Sequence, residues 1–265
     1  DAMISDAAIG RLLFFSHHTS CHRIKFDATV EPRFNLLKAG EHAILQYPLL
    51  ALAADGDLHA GWTTQKHGVY LYWDVHHMLT RDRGDSWAGV SRATIEIPVA
   101  ADDSGPTDQI SSTDEFESHT WLSSMALQSG KAHFAYMAQT VPPREHYIRF
   151  DLATGKQDVH LHPEFKGDVI RVLGLSGYFV TDPSGAELIY FVGNDAGHVA
   201  CLRSRDNGET WEDYARTDDA FGLYAIGGFR QTIDGAIIGT FTDQKQGSDE
   251  LEFLSDVYFF RIAKD

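Results

Sequence analysis

The stretch Thr80-Arg81-Asp82-Arg83-Gly84-Asp85-Ser86-Trp87 decides the fold, because the chain contains it twice. Ser204-Arg205-Asp206-Asn207-Gly208-Glu209-Thr210-Trp211 repeats it 124 residues later, with hydroxyl, acid, glycine, hydroxyl and tryptophan in the same places. The pattern is that of a tight turn. An Asp carboxylate accepts bonds from nearby backbone N–H groups, glycine reaches backbone conformations closed to other residues, and Trp covers a hairpin with apolar area. Each copy follows a β-rich run. Asp151-Leu152-Ala153-Thr154-Gly155-Lys156 is a degenerate third copy.

On either side of these turns no long stretch keeps an apolar period of 3.6. Short β-rich runs dominate, broken by Gly, Asp, Asn and Pro. A second kind of turn recurs at Ala53–Leu58, Leu127–Ala132, Thr181–Leu188 and Thr232–Ile237. Each is followed by a strand, a polar loop, a third strand and an Asp-containing turn. Those later turns fall at Asp27, Asp82, Asp151 and Asp206, in steps of 55, 69 and 55 residues. A unit of about 50–60 residues with four short strands is a propeller blade. The expected fold is therefore all-β, a β-propeller of four-stranded antiparallel blades. About five are visible, over 1–40, 41–102, 112–166, 170–217 and 221–265 of one domain. Ala101–Glu117 is polar and is expected to be a long inter-blade loop. The last unit is one strand short, which suggests part of a larger propeller.

Composition narrows the function. A formal net charge of −16 argues against general nucleic-acid binding, which needs a basic face. No apolar run reaches the roughly 18 residues of a membrane span, and the N-terminus carries no leader of basic and then apolar residues. Two cysteines, Cys21 and Cys201, exclude a disulfide-dense scaffold and are expected as buried thiols. Fourteen histidines in 265 residues are many, and they cluster.

The two complete turns resemble the Asp box of sialidase-like propellers. In that family the box joins the third and fourth strands of a blade, on the face away from the active site. The resemblance thus implies that Asp82 and Asp206 are structural. The stretch Asp57–Trp87, with its Leu58-His59-Ala60-Gly61-Trp62-Thr63 strand before the box, resembles the group that includes ulvan lyases. That implies acidic-polysaccharide chemistry and an extracellular or periplasmic setting. Sialidase hydrolases carry an early Arg-Ile-Pro motif, and this chain has none.

If the boxes mark the lower face, a site belongs on the opposite one, in the loops between second and third strands and between blades. There the sequence puts Ser16–His22, Thr63–His67, Gln139–Tyr147, Asn194–His198 and Asp243–Gln246, with Gln46, Tyr47, His119, Trp121 and Tyr178 at strand starts. A uronate lyase must neutralise the C6 carboxylate, remove the C5 proton and protonate the leaving oxygen. His67, His119, His146 and Tyr178 are the candidate acids and bases. Gln65, Lys66, Gln139, Arg144, His17 and His18 are the candidate substrate ligands. No cofactor is expected. His17, His18, Cys21 and His22 have no recognised zinc spacing, so no metal is assigned. The expected partner is an acidic polysaccharide or oligosaccharide, with neither nucleic acid nor membrane. Two alternatives stay open. A retaining glycosidase commonly uses two carboxylates, for which Glu145, Asp195 and Asp243 are the options, and a sialidase-like hydrolase needs three clustered arginines, of which only Arg144 is identified. A non-catalytic sugar-binding propeller needs exposed platforms such as Trp62, Trp73 and Trp121. His76 and His77 are expected to pack within a sheet, and His160 and His162 to lie at the surface.

Overall fold

The computed structural model describes residues 2–6, 11–16, 20–66, 68, 72–90, 93–100, 106–111, 119–139, 144–169, 177–182, 187–231, 234–247 and 253–263. Every regular element in them is a strand. The first sheet runs β1 (Ala2–Asp6), β2 (Arg11–Ser16), β3 (Ser20–Lys25) and β4 (Phe34–Asn35). After β5 (Leu37–Lys38), the second sheet is built from β6 (Ala43–Leu52), β7 (Leu58–Lys66), β8 (Tyr72–Thr80), β9 (Trp87–Ala88) and β10 (Thr94–Ile95). β11 (Val99–Ala100) pairs in parallel with β5, and β12 (Asp108–Gln109) pairs with β8. The third sheet holds β13 (Thr120–Gln128), β14 (Lys131–Ala138), β15 (Arg144–Asp151) and β16 (Lys156–Leu161). A small hairpin, β17 (Glu164–Phe165) and β18 (Asp168–Val169), leads to the fourth sheet: β19 (Tyr178–Thr181), β20 (Ile189–Asp195), β21 (His198–Ser204) and β22 (Glu212–Arg216). The fifth has three strands, β23 (Leu223–Gln231), β24 (Ile237–Gln246) and β25 (Phe253–Ile262).

Each sheet is an antiparallel meander, and the first strands pack in succession: β1 with β6, β6 with β13, β13 with β19, β19 with β23. Because side chains alternate across a strand, each sheet offers one apolar face forward and one back. Four clusters fill the gaps. Cys21, Trp62 and Trp87 lie between sheets one and two, and Val75, Phe134 and Ile148 between two and three. Ala135, Phe191 and Leu202 lie between three and four, and Val192, Cys201 and Phe241 between four and five. Cys21 and Cys201 are both free and buried, in different sheets. Burial pushes the Cys21 thiol up to about 12, against the pull of Arg23.

The two boxes close β8 to β9 and β21 to β22 by the same bonds. Thr80 Oγ1 donates to Asp82 Oδ1 at 2.8 Å and accepts from Gly84 N at 2.8 Å, and Asp82 Oδ1 accepts from Ser86 N at 2.8 Å. Ser204, Asp206, Gly208 and Thr210 repeat this at 2.7, 2.7 and 2.9 Å. Gly84 (φ 94°) and Gly208 (φ 83°) hold the left-handed backbone of the turn. Burial would raise the Asp82 carboxyl, but bonds from Ser86, Thr80 and the turn amides outweigh it and hold it at about 2. Asp151 accepts Thr154 N at 2.7 Å in the degenerate turn.

A preceding-sheet arginine reaches each box. Arg23 on β3 donates to Gly84 O at 2.9 Å and to Asp85 at 2.8 Å. Arg149 on β15 donates to Asn207 O at 2.9 Å and to Asp158 at 2.8 Å.

Two expectations need correction. The polar segment over 101–117 is not wholly a connecting loop. Asp108 and Gln109 add an outer strand piece to β8 opposite His77 and His76. Asp108 Oδ2 accepts Val90 N at 2.8 Å and binds His77 Nδ1 at 3.1 Å, and His77 Nε2 meets His59 Nδ1 at 2.9 Å. Burial first, then His77 and Arg81, hold the His59 imidazole down at about 2. The loop registers also shift. Thr63–Lys66 lies inside β7, Glu145–Tyr147 inside β15, Asp243–Gln246 inside β24 and His22 inside β3. These residues are polar, yet their backbones are paired across the sheet.

Candidate functional site

Since the boxes close third to fourth strands, the turns between second and third strands lie at the opposite edge, together with the starts of the first strands. At that edge sheets two and three bring several candidates together. His119 lies just before β13, and its Nδ1 accepts the backbone N–H of Tyr72 at 3.3 Å. Its ring stacks on Trp121 (5.2 Å between centroids, 9° between planes) and lies 5.7 Å from Tyr72. Tyr72 also meets Trp121 at 5.5 Å and Tyr47 at 5.5 Å. Gln65 pairs with Tyr72 across the sheet, and Lys66, next to it, pairs with Ala43. Gln139 N donates to His119 O at 2.8 Å. Arg144, exposed, opens β15 opposite Ala138. His119, Gln65, Lys66, Gln139 and Arg144 thus share one edge, where His119, Tyr72, Trp121 and Tyr47 form an aromatic group and Arg144 lies two strands out from β13.

The bond from Tyr72 settles the His119 tautomer. A neutral imidazole whose Nδ1 accepts a backbone N–H carries its proton on Nε2. His119 therefore presents a donor to whatever lies beyond it.

The other candidates fall elsewhere. His146 stands on the third strand, opposite Tyr136, which is opposite Leu122 of the first strand. That puts it roughly 10 Å out from the inner strand, two strand spacings away. It is buried, stacks on Tyr136 at 4.7 Å, and shares a 3.0 Å bond with His160. Burial first, then His162, His160 and Arg144, hold it neutral with a pKa of about 3. His160 is exposed, and His162 is half-buried with its Nδ1 on Glu145 O at 3.0 Å. Tyr178 pairs with Val192, while its sheet turns at Asp195–His198, so it enters three positions below the edge. Phe179 N, beside it, binds Ser124 Oγ of the third sheet at 3.2 Å. Burial raises the Tyr178 phenol. His17, His18 and His67 lie outside the described residues.

Of the three carboxylates considered for hydrolysis, Asp195 and Asp243 are held in ion pairs. Glu145 is buried, accepts Ser123 Oγ at 3.2 Å, and is held well above the usual carboxylate range by that burial. Asp195 is buried against Arg216 at 3.0 Å. Asp243 accepts Gly222 N at 2.7 Å and pairs with Lys245 at 3.1 Å. Of the aromatic platforms, Trp62 is buried and stacked on His76 at 5.7 Å, whereas Trp121 is half-buried at the edge. Sequence reasoning missed Tyr72, which it left inside the strand-like run Tyr70–Leu79. The only signal was its place among aromatic residues at a strand start.

No protein-family model and no curated protein matches the chain. Solved structures do. An ulvan lyase of polysaccharide lyase family 25 superposes with a TM-score of 0.66 at 18% identity, over 98% of this chain and 63% of that one. The same lyase has been solved bound to -[GlcA(1-4)Rha3S]-. The leech intramolecular trans-sialidase matches with a TM-score of 0.57 at 10% identity, over 99% of this chain and 60% of that one. The intramolecular trans-sialidase of Ruminococcus gnavus gives 0.57 at 10%, over 99% and 84%. The chain thus spans less than two thirds of the lyase's length. At these identities the likeness is one of fold, and the chain has an all-β fold of the propeller type.

Proposed function

We propose that this propeller is carbohydrate-active and cleaves an acidic, uronate-containing polysaccharide by β-elimination. The observation that carries the reading is the edge shared by sheets two and three. It gathers a histidine of fixed tautomer, an aromatic wall, two amides and two cations, while Asp195 and Asp243 are held in ion pairs. Arg144 and Lys66, with Gln65 and Gln139, suit the sugar carboxylate, whose neutralisation acidifies the C5 proton. His119, with its N–H on Nε2, suits a hydrogen bond to the oxygen on which charge develops. His67, the next residue after Lys66 in the sequence, is the base of this proposal, and its imidazolium returns the proton to the leaving oxygen. Trp121 offers an apolar face to a sugar ring. The lyase solved with a glucuronate-containing oligosaccharide supports the substrate class. Export to the cell surface or periplasm belongs to the same proposal.

Incubation with uronate-containing polysaccharides should raise the ultraviolet absorbance of the unsaturated product. His119→Ala should lower that rate by about 100-fold or more. Reducing ends released without unsaturated product would replace elimination by hydrolysis. Binding without any product would leave a sugar-binding module.

A further inference from the structure

The outer face of the fifth sheet repeats a surface that the fourth sheet keeps covered. Ile189 pairs with Ser204 at the start of β20, and Ile237 pairs with Ile262 at the start of β24. Counting from these pairs, Val257 stands where Val199 stands, Phe259 where Cys201 stands, and Arg261 where Arg203 stands. Val199 and Cys201 are 2% and 0% exposed beneath the fifth sheet. Val257 and Phe259 are 72% and 66% exposed. On the other face of β25, Phe260 is buried and Tyr258 stacks on Phe241 at 5.2 Å.

The outer edge tells the same story. In the fourth sheet β22 pairs with β21 over Ala200–Arg203. Among the described residues, nothing pairs with the outer edge of β25, a ten-residue strand. A strand meant to stay at an edge is blunted by charges, Pro or a bulge. β25 has the charges Asp256 and Arg261 but no Pro, and its ladder with β24 is unbroken.

We propose that this face and edge are a docking surface for one more blade of the same propeller, packed on Val257 and Phe259 as the fifth sheet packs on Val199 and Cys201. The observation that selects this occupant is continuity with four interfaces of one kind. The docking blade would supply an apolar face opposite Val257 and Phe259, and a strand would add antiparallel to β25.

Hydrogen exchange tests it, comparing the 265-residue chain with the product of the complete reading frame. In the latter, the outward amides of Phe253–Ile262 should exchange at least tenfold more slowly. Val257→Lys with Phe259→Lys should lower the melting temperature of the complete product more than that of the 265-residue chain. Equal exchange and equal loss in the two would overturn the proposal, as would a reading frame that ends at Asp265. Sedimentation adds a further check. A 265-residue chain that dimerises through this face, and is made monomeric by the double substitution, would assign the surface to a second copy instead.

Discussion

A methyl group on Gly208 would collide with the hydroxyl of Tyr147 and come within 3.0 Å of His133 Nδ1. On Gly84, in the other box, it would meet nothing closer than Arg23 Nε at 3.6 Å. Both glycines are left-handed, so both alanine variants carry the backbone cost of about 1 kcal/mol. Only Gly208→Ala adds a steric clash, at least another 1–3 kcal/mol. Urea midpoints should therefore separate the two variants clearly, and equal midpoints would mean that the approach of Tyr147 is not held. Glu145 makes the opposite case. Its acid is stabilised in the neutral form, so its contribution is complete below the unfolded value near 4.5 and is lost as pH rises through the folded value. Glu145→Gln keeps the shape and cannot ionise. It should raise the melting temperature at pH 8 while changing it little at pH 4. A uniform shift at both would contradict a buried neutral carboxyl.

At the scale of elements, the boxes are more than turns. Arg149 is nearly buried and spends its guanidinium on two partners in different sheets, the Asn207 carbonyl and Asp158. Arg23 makes the matching contact with a largely exposed Asp85. Arg149→Ala should cost about 2 kcal/mol or more by leaving a buried acceptor short, and Arg23→Ala about 1 kcal/mol or less. Chemical denaturation of the two variants checks the order. The turns themselves are legible in sequence because every bond in them spans at most four residues. The arginines are not, because the partner lies about sixty positions away. The same reason displaced the candidate site. Thr63-Thr64-Gln65-Lys66 looks like a loop by composition. Yet Thr63 is buried, and its hydroxyl accepts Leu122 N of the next sheet at 2.8 Å. A polar residue satisfied across a sheet boundary leaves no local trace.

For the molecule as a whole, the repeat length carried the architecture and the residue types carried only part of the site. His119, Gln139 and Arg144 share an edge because the ends of strands are legible from turns. His146 does not join them, because two residues along β15 from Arg144 its ring is packed within the sheet on Tyr136 and His160. Buried imidazoles also set the response of the fold to acid. Burial chiefly holds His59 at about 2, and His133 and His146 at about 3. Each is neutral when folded and takes a proton near 6.5 when unfolded. Their stabilisation is complete above about 6.5 and is lost as pH falls through the folded values. The urea midpoint should therefore drop between pH 7 and pH 5, before most carboxylates titrate. A constant midpoint over that window would show that these rings are not held neutral.

Among the described residues, each of the four apolar clusters joins consecutive sheets, as in a nearest-neighbour system. On the ribosome the consequence is directional. Each sheet emerges next to a completed predecessor whose forward face is already bare, and Arg23 and Arg149 are exposed before the box each will bind has been made. With synthesis at roughly 5–20 residues per second, a new sheet has several seconds to dock before the next one appears. Assembly can thus proceed from the N-terminus one contact surface at a time.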